Sequence, residues 1–421
     1  MVLEDVLPAL RDDNGDRAAR TALMQCLSSE SRSEGLVLVF LEPPERESCL
    51  PSILADQFAR LEVPYPRGQE LENIAREEVA FLMHRSGAEV DVERAYCEAR
   101  ELAPGLAGLT RSAARDALRD AMGAGGSLDY RGARARLDDR KRRALRRELA
   151  MNVLDAEEAE MPVGLDYLVE YLTVFKGRLS LYGNGRARGV LLIGPPGTGK
   201  TMLARAIGKL VNLPVVEFRI SSLMNSLLGE TERRFARAFV TLEAMSPNVV
   251  FIDEIEKAFG DSSERDGGTM MRCTGALLSW LADNSYPNFV VATSNSLTRM
   301  GEIGLTMTRS ERFDAAFFVD LPGKDARYEM LRRWLKGALD DPEPVAAELA
   351  DQTRLFSGAD LFSAVKQARG WAEHQGRAVS AEDVRAQIRR KRSRAEALYQ
   401  EFDALRRWGR VFCDPAGPTE D

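Results

Sequence analysis

Eight consecutive residues carry the strongest chemical signal in the sequence. They fit the pattern GxxxxGK[ST] and directly follow an apolar run that ends at Ile193. In order they are Gly194, Pro195, Pro196, Gly197, Thr198, Gly199, Lys200 and Thr201. Successive backbone N–H groups of such a loop turn inward around phosphate groups, and a Cβ would obstruct them, which explains the glycines. The pattern predicts a nucleotide-phosphate loop, with Lys200 at the outer phosphates and the Thr201 hydroxyl on Mg²⁺.

Two adjacent carboxylates end a second apolar run. Asp253 and Glu254 follow it, 53 residues after Lys200. Adjacent residues of a strand face opposite ways, so the two acids have different roles. We expect Asp253 to hold Mg²⁺ through its water shell and Glu254 to polarise the attacking water of a phosphoryl transfer. The phosphate loop upstream favours this interpretation over that of a solvated acidic pair.

Polar and basic residues accompany the last two predicted strands. Asn295 directly follows the apolar run 289–294, where a neutral polar group can orient the water or contact the γ-phosphate. Arg309 and Arg312 lie just before the final apolar run. Planar guanidinium groups suit the charge that develops on a transferring phosphoryl group, whether they act on their own chain or on a neighbour.

These residues require a sheet whose strands end at one edge. Short apolar runs alternate with helical patterns between residues 190 and 319, which is the signature of a parallel sheet with right-handed crossovers. The predicted strands cover 190–193, 215–220, 249–253, 289–294 and 316–319. The pattern after Pro322 is helical throughout. The fold class is therefore α/β: a parallel sheet wound by helices, followed by a helical domain.

The first 150 residues predict a smaller α/β part and a helical part. Their patterns indicate a helix near 16–28, a strand at 36–41, an extended stretch at 58–63 and helices between 67 and 149. The strand and the extended stretch are apolar, whereas the last segment has helical spacing.

A weak internal repeat connects the two parts of the chain. Residues 57–66 resemble 312–322, and a charged amphipathic helical pattern follows each. The chain start therefore predicts a degenerate second copy without a phosphate loop, an α/β half-module over 1–66 with a helical lid-like region over 67–150. Two unrelated domains that share a strand–proline–helix order are the alternative.

Composition restricts the class of protein. The chain has 421 residues, 44% apolar and 29% charged, and a net charge of −7 that gives no general case for binding nucleic acid or membranes. Five scattered cysteines without a CxxC pair argue against a disulfide framework or structural zinc. No apolar run approaches the ~20 residues of a membrane-spanning helix. Because the N-terminus also lacks a signal pattern, we expect a cytoplasmic protein with no membrane partner.

The four blocks of functional residues, in this order, resemble the AAA ATPase family from about Pro162 to Gln375, and specifically its members with paired arginines. Closer details over 253–259, 312–322 and the tail 405–410 are similar to the Ycf-type AAA proteins of cyanobacteria and chloroplasts. Those proteins carry a degenerate ATPase-like half before the active one, which agrees with the internal repeat.

The resemblance implies an ATP hydrolase that uses Mg²⁺. It places the large α/β ATPase domain at 151–322 and the helical lid with a C-terminal helical tail at 323–421. It also implies that Gly164 contacts the adenine from one side, and that Gly358 and Ala359 of the lid lie near the other.

The family further implies a closed ring, usually a homo-hexamer, in which Arg309 and Arg312 complete the site of the neighbouring subunit. Three positions depart from the family pattern. Glu311 stands where a glycine is usual before the second arginine, and Leu227 stands where threading motors commonly have an aromatic residue. Gln57 stands where the first half would need an arginine, so we expect no hydrolysis there.

The resulting functional hypothesis is an ATP-hydrolysing, ring-forming AAA protein that remodels or regulates a protein assembly, with an unknown protein client. One alternative is a nucleic-acid motor or loader, favoured by nine basic residues within 131–147 and six within 385–394. Solvated helix faces or ring-interface charges are the simpler explanation of these stretches, since neither contains an aromatic residue on which bases could stack. The other alternative is a nucleotide-gated scaffold with little turnover.

Overall fold

The computed structural model describes residues 2–4, 39–41, 65–86, 97, 99–123, 130–154, 159–160, 162–179, 181–223, 230–259, 267–295, 307 and 312–418. The chain forms two compact units, residues 1–65 and 66–421. In the first unit, β1 (Val2–Glu4) pairs in parallel with β2 (Val39–Leu41). A parallel pair needs a long crossover connection, as in α/β units. The helix predicted at 16–28 and the extended stretch at 58–63 lie outside the described residues, and the half-module stays a prediction.

Besides the 3₁₀ turn Ala103–Leu106, the described residues between 67 and 149 form three long helices where helices were predicted. They are α1 (Gln69–Ser86), α2 (Arg111–Gly123) and α3 (Tyr130–Leu149). Their facing sides enclose a core of small and aliphatic side chains. The C-terminal end of α3 leaves this core, because Leu145 and Leu149 pack into the core of the main sheet. The helical region therefore packs directly on the sheet that follows it.

The main sheet has seven strands in the order β3–β5–β6–β7–β4–β8–β9. The strands are β3 (Met151–Leu154), β4 (Gly189–Ile193), β5 (Val215–Phe218), β6 (Asn248–Ile252), β7 (Asn288–Ser294), β8 (Ala315–Phe318) and β9 (Asp414–Pro415). β3 is antiparallel to β5, and the other neighbours are parallel. The edge strands β3 and β9 were not predicted from the sequence. The predicted strand at 215–220 is shorter, because the chain turns into a helix at Ile220.

Helices cover both faces of the sheet, which explains why β4 to β7 are buried along their whole length. These helices are α4 (Asp166–Phe175), α5 (Lys200–Val211), α6 (Ile220–Leu223), α7 (Glu230–Ala244) and α8 (Gly267–Asp283). The two faces carry separate hydrophobic cores. α5 begins directly after the phosphate loop, so its N-terminal N–H groups point toward that loop.

A helical lid follows the sheet. It consists of α9 (Lys324–Leu335), α10 (Pro342–Gln352), α11 (Gly358–His374) and α12 (Ala381–Glu401), which share one core. Ser357 and Asp360 form a capping box that fixes the start of α11. The last helix, α13 (Asp403–Phe412), leads back to the sheet and into β9. None of the described helices combines the length and apolarity that crossing a membrane requires.

Candidate functional site

Three adjacent parallel strands bring the predicted functional residues to one edge of the sheet. Gly194 follows β4, Asp253 follows β6 and Asn295 follows β7, and β7 lies between β4 and β6. The Gly194 N–H donates a 3.2 Å hydrogen bond to the Ser294 carbonyl, which ties the loop to its neighbour. The carboxyl edge of a parallel sheet is where α/β proteins bind ligands.

The phosphate loop requires glycine for two separate reasons. Gly197 and Gly199 have φ values of 81° and 91°, in the left-handed region that favours glycine. At Gly194 the reason is space, because a Cβ there would lie 2.1 Å from the Val319 carbonyl oxygen. The Thr198 hydroxyl donates to the Pro195 carbonyl at 3.0 Å, which closes the loop, whereas Pro196 is exposed.

The Lys200 ammonium is folded into the loop. Its Nζ donates to the carbonyl oxygens of Gly194 and Pro195 at 2.9 and 2.7 Å, and only 6% of the residue is exposed. Burial lowers the pKa of Lys200 to about 8, although the nearby carboxylates Asp253, Glu256 and Glu254 act in the opposite direction. Phosphate oxygens would supply the acceptors that a buried cation requires.

Two oxygen atoms suited to Mg²⁺ meet beside the loop. Thr201 Oγ1 donates to Asp253 Oδ2 at 3.3 Å. Hydroxyl, carboxylate and phosphate oxygens with several waters are the ligands that Mg²⁺ prefers. Thr201 and Asp253 are both exposed to solvent. The pair therefore fits a solvated Mg²⁺ that also contacts phosphate.

Glu254 has a strained backbone and a cationic neighbour. Its φ is 50°, which is unusual for a residue with a Cβ and costs about 1–2 kcal/mol. A residue stays in such a strained conformation only where the surrounding structure holds it there, which is common at functional sites. The Glu254 carboxylate forms an ion pair with Lys257, one turn later. Both side chains are partly exposed, so the pair can open toward solvent.

Asn295 has a buried side-chain oxygen atom at the end of β7. Its backbone N–H donates to Glu256 Oε1 at 3.0 Å, which holds the start of the loop after β7. The buried Asn295 Oδ1 has no hydrogen-bond partner among the described residues. Since buried polar atoms are nearly always hydrogen-bonded, this oxygen fits a role in binding a water molecule or ligand.

A pocket lies between the phosphate loop and the lid. Its walls are residues 163–165, 320–322 and 416–418, together with Thr198, Phe318, Met330 and Gly358. It therefore contains Gly164 and Gly358, which were predicted to lie near the base. Ala359 also links the lid to the loop, because its N–H donates to the Gly197 carbonyl at 3.0 Å.

Arg312 lies at the opposite edge of the sheet from the phosphate loop. The next residues, Phe313 and Asp314, lead into β8, and the Asp314 N–H donates to the Gly189 carbonyl at the start of β4. Gly194 is five residues farther along that strand, or about 16 Å at 3.3 Å per residue. Arg312 is therefore remote from the loop of its own chain. Arg309 lies outside the described residues.

Sequence reasoning missed three polar residues of the site. Thr293, buried in β7, bonds to both acids after β6, and Glu256 and Lys257 contact Asn295 and Glu254. Thr293 had a visible signal, since it is a polar residue directly after four apolar ones. Glu256 and Lys257 had none beyond being charged, because their partners are set by the turn after β6.

Comparison with known proteins agrees with this geometry. The sequence profile of the ATPase family associated with various cellular activities (AAA) matches residues 190–321. The uncharacterized AAA domain-containing protein ycf46 of Trieres chinensis is 34% identical over 226 residues, which are 52% of this chain and 44% of that protein. The ycf46 protein of Pyropia yezoensis is 32% identical over 259 residues, or 58% and 51% of the two chains. The chain thus spans about half the length of these relatives.

A more distant relative and two solved structures extend the comparison. The ATPase family gene 2 protein of Schizosaccharomyces pombe is 34% identical over 184 residues, 43% of this chain and 22% of that protein. The crystal structure of the FIGL-1 AAA domain superposes with a TM-score of 0.52 at 22% identity, over 65% of this chain and 95% of that one. The structure of the FIGL-1 AAA domain in complex with ADP superposes with a TM-score of 0.50 at 22% identity, over 62% of this chain and 93% of that one. The α/β fold and the family resemblance predicted from the sequence are confirmed.

Proposed function

We propose that this protein, whose residues 190–321 form a domain of the AAA ATPase family, hydrolyses ATP with Mg²⁺ and assembles into a ring that remodels or regulates a protein complex. The observation that carries the proposal is the convergence of the phosphate loop, Asp253, Glu254 and Asn295 on one edge of the sheet. Each of these groups has a task in phosphoryl transfer, and the transfer itself depends mainly on positioning and electrostatics.

The residues of the loop would bind the phosphates. Lys200 would exchange its hydrogen bonds to the neutral Gly194 and Pro195 carbonyls for charge-assisted hydrogen bonds to phosphate oxygens, which stabilise a buried cation more strongly. Thr201 and Asp253 would hold Mg²⁺, which neutralises charge on the phosphates when it is bound.

Water activation would fall to Glu254 and Asn295. The Glu254 N–H donates a 2.9 Å hydrogen bond to the Thr293 hydroxyl. This bond fixes the Glu254 backbone, so the Glu254 carboxylate leaves the strand in a defined direction. The ion pair with Lys257 must open, or must shift, before Glu254 can accept a proton from water. Asn295 Oδ1, which has no hydrogen-bond partner within the part of the chain that the structure describes, would then orient that water.

The position of Arg312 supports a ring. Gly189, whose carbonyl accepts from Asp314 just after Arg312, is about 16 Å from Gly194 along β4, a span beyond the reach of an arginine side chain. A neighbouring subunit could receive Arg312 in a heterologous, closing interface. Arg309 is the alternative arginine that a neighbouring subunit could receive at its phosphate loop. The half-module at the chain start and the helices α1–α3 would then serve as a platform for assembly or for the client.

The experiment has two readouts on the full chain. Phosphate release from ATP, measured with and without Mg²⁺, tests the hydrolase, and Glu254→Gln is the control that should bind ATP without turnover. Affinity purification with Glu254→Gln in ATP, against the same variant in ADP, tests for a protein client. Negligible phosphate release by the wild-type chain at concentrations where it assembles would instead favour the nucleotide-gated scaffold.

The basic stretches do not favour a nucleic-acid motor. In α3, Arg140 and Arg143 form ion pairs with acids of α2 and of α3 itself. In α12, Arg385 binds Glu348 of the lid at 2.7 Å. Arg140, Arg143 and Arg385 therefore already have acidic partners within the chain. Binding to DNA or RNA that weakens steeply with log[salt] would overturn this interpretation.

A further inference from the structure

The C-terminal segment 414–418 is built into the sheet and continues to the pocket beside the phosphate loop. β9 pairs with β8, with Asp414 opposite Phe317 and Pro415 opposite Phe318. The Ala416 N–H then donates to the Phe318 carbonyl at 3.1 Å, and the Ala416 carbonyl accepts from Leu168 of α4 at 3.0 Å. Ala416 is only 1% exposed, so these contacts are part of the hydrophobic core.

Gly417 sits directly against Gly164, the residue that the family resemblance places near the base. A Cβ on Gly417 would lie 2.0 Å from the Gly164 carbonyl oxygen and 3.1 Å from Leu165 Cα. Such contacts involve backbone atoms, which cannot rotate away as a flexible side chain can. Glycine is required at 417 because the two chain segments touch.

The preceding helix holds this segment in place. A Cβ on Gly409 of α13 would lie 2.1 Å from the Phe318 ring, so α13 lies flat against β8. Arg406 forms a 3.1 Å ion pair with Asp320, and these side chains are only 5% and 9% exposed. Asp320 belongs to the same pocket as Gly417. The helix therefore fixes two walls of the pocket at once.

We propose that residues 416–418 form a wall of the nucleoside site and contribute to its affinity for the base. The inference rests on the proposed ATPase function, because the loop sets where the phosphates lie and the pocket adjoins Thr198 of that loop. Pro418 and Met330 of the lid both line the pocket with apolar surface, which suits the faces of an aromatic base.

The test compares ATP with tripolyphosphate, which has the phosphates but no nucleoside. Gly417→Ala adds one methyl group at the contact with Gly164, and Gly370→Ala adds the same group where nothing lies within 4 Å. With Mg²⁺ present, we expect Gly417→Ala to weaken ATP binding by about tenfold and to leave the inhibition constant of tripolyphosphate unchanged. Gly370→Ala should match the wild-type chain for both ligands.

A chain that ends at Cys413 provides a second variant, because it lacks the wall entirely. It should lose ATP affinity in the same direction, and circular dichroism would establish that it folds; should it not fold, Gly417→Ala still decides. Unchanged or tighter ATP binding by Gly417→Ala, or an equal loss for tripolyphosphate, would overturn the inference. Failure of the wild-type chain to bind ATP would instead contradict the proposed function and this inference with it.

Discussion

The Thr293 hydroxyl donates a 2.5 Å hydrogen bond to Asp253 Oδ1 and accepts a 2.9 Å bond from the Glu254 N–H. One side chain in the middle of the sheet thus connects the two acids that follow β6. Asp253 Oδ2, the other oxygen of the same carboxylate, accepts from Thr201. Under the proposed function, Thr293 is therefore a positioning residue for the Mg²⁺ ligand Asp253 and for the water-activating Glu254.

Replacing Thr293 by valine should lower turnover without abolishing ATP binding. Valine keeps the shape of the side chain but removes both hydrogen bonds, so Asp253 and the Glu254 backbone lose their common support. Loss of such supporting contacts typically costs about 10–100-fold in activity. Steady-state kinetics should show the loss in kcat, with Thr293→Ser restoring most of it. Equal kcat values for Thr293→Val and wild type would contradict the positioning role.

Lys200→Ala and Glu254→Gln should separate binding from hydrolysis. The first removes the cation that faces the phosphates, so ATP affinity should fall by at least about tenfold. The second removes the group that polarises water but leaves the loop intact, so affinity should stay near the wild-type value while turnover disappears. Calorimetric titration of both variants with ATP and Mg²⁺ measures the difference. Equal affinities would show that these roles are assigned wrongly.

The positions of the central strands and the polar residues at their ends could be predicted because each signal is local. A glycine-rich loop after an apolar run, an Asp-Glu pair after another and Asn295 after a third need only the rule that parallel strands end at one edge. The role of Thr293 could not be predicted in this way, because it depends on the register between β6 and β7. That register places Ile252 beside Ala292. No local pattern encodes that register.

The C-terminal wall of the pocket could not be predicted for a related reason. β9 has two residues, which are too few to show any periodicity. It forms because α13 ends where the following residues can pair with β8. β3 is likewise a short strand defined by its antiparallel partner β5. In both cases tertiary packing, rather than local propensity, creates the strand.

Two adjacent arginines of α13 should differ sharply in their effect on stability. Arg406→Ala removes the 3.1 Å partner of the buried Asp320 and leaves it only the longer, 3.6 Å contact with the half-exposed Arg410. It also removes a guanidinium that stacks 3.9 Å from the Tyr399 ring centre. Breaking a buried pair in this way costs about 3–5 kcal/mol of unfolding free energy. Arg407→Ala breaks a pair with Asp403 in which the two side chains are 77% and 50% exposed, so its cost is about 0–1 kcal/mol.

Urea denaturation of both variants, without nucleotide, measures this difference. Because the two positions lie in the same helix and receive the same substitution, the change in helix propensity cancels. Similar losses for Arg406→Ala and Arg407→Ala would mean that the contact between α13 and β8 contributes little to stability.

Titration of the full chain should reveal one ATP site per subunit. The only glycine-rich phosphate loop of the sequence is at 194–201, and the chain start has no equivalent. A stoichiometry near one, reduced to near zero in Lys200→Ala, is the expected result. Two saturable sites per chain would contradict the hypothesis that the N-terminal half-module is degenerate.

Mixing two inactive variants should restore activity if Arg312 acts on a neighbouring subunit. Arg312 precedes β8 at the edge of the sheet that is remote from Gly194, so an arginine that serves its own site would have to cross the whole sheet. An arginine supplied by a neighbour can be worth 10³–10⁵ in rate, or about 4–7 kcal/mol of barrier. Neither Lys200→Ala nor Arg312→Ala should therefore hydrolyse ATP alone.

In the mixture, a Lys200→Ala subunit can donate its Arg312 to the intact phosphate loop of an adjacent Arg312→Ala subunit. Phosphate release should then rise with the fraction of mixed contacts and reach a maximum near equal proportions. Analytical ultracentrifugation of the two variants, each with its own fluorophore, establishes that they assemble together. If the two variants co-assemble and the mixture stays inactive, Arg312 does not act on its neighbour. The same mixing experiment with Arg309→Ala then tests the remaining arginine, because one of the two must supply the charge if the site is shared.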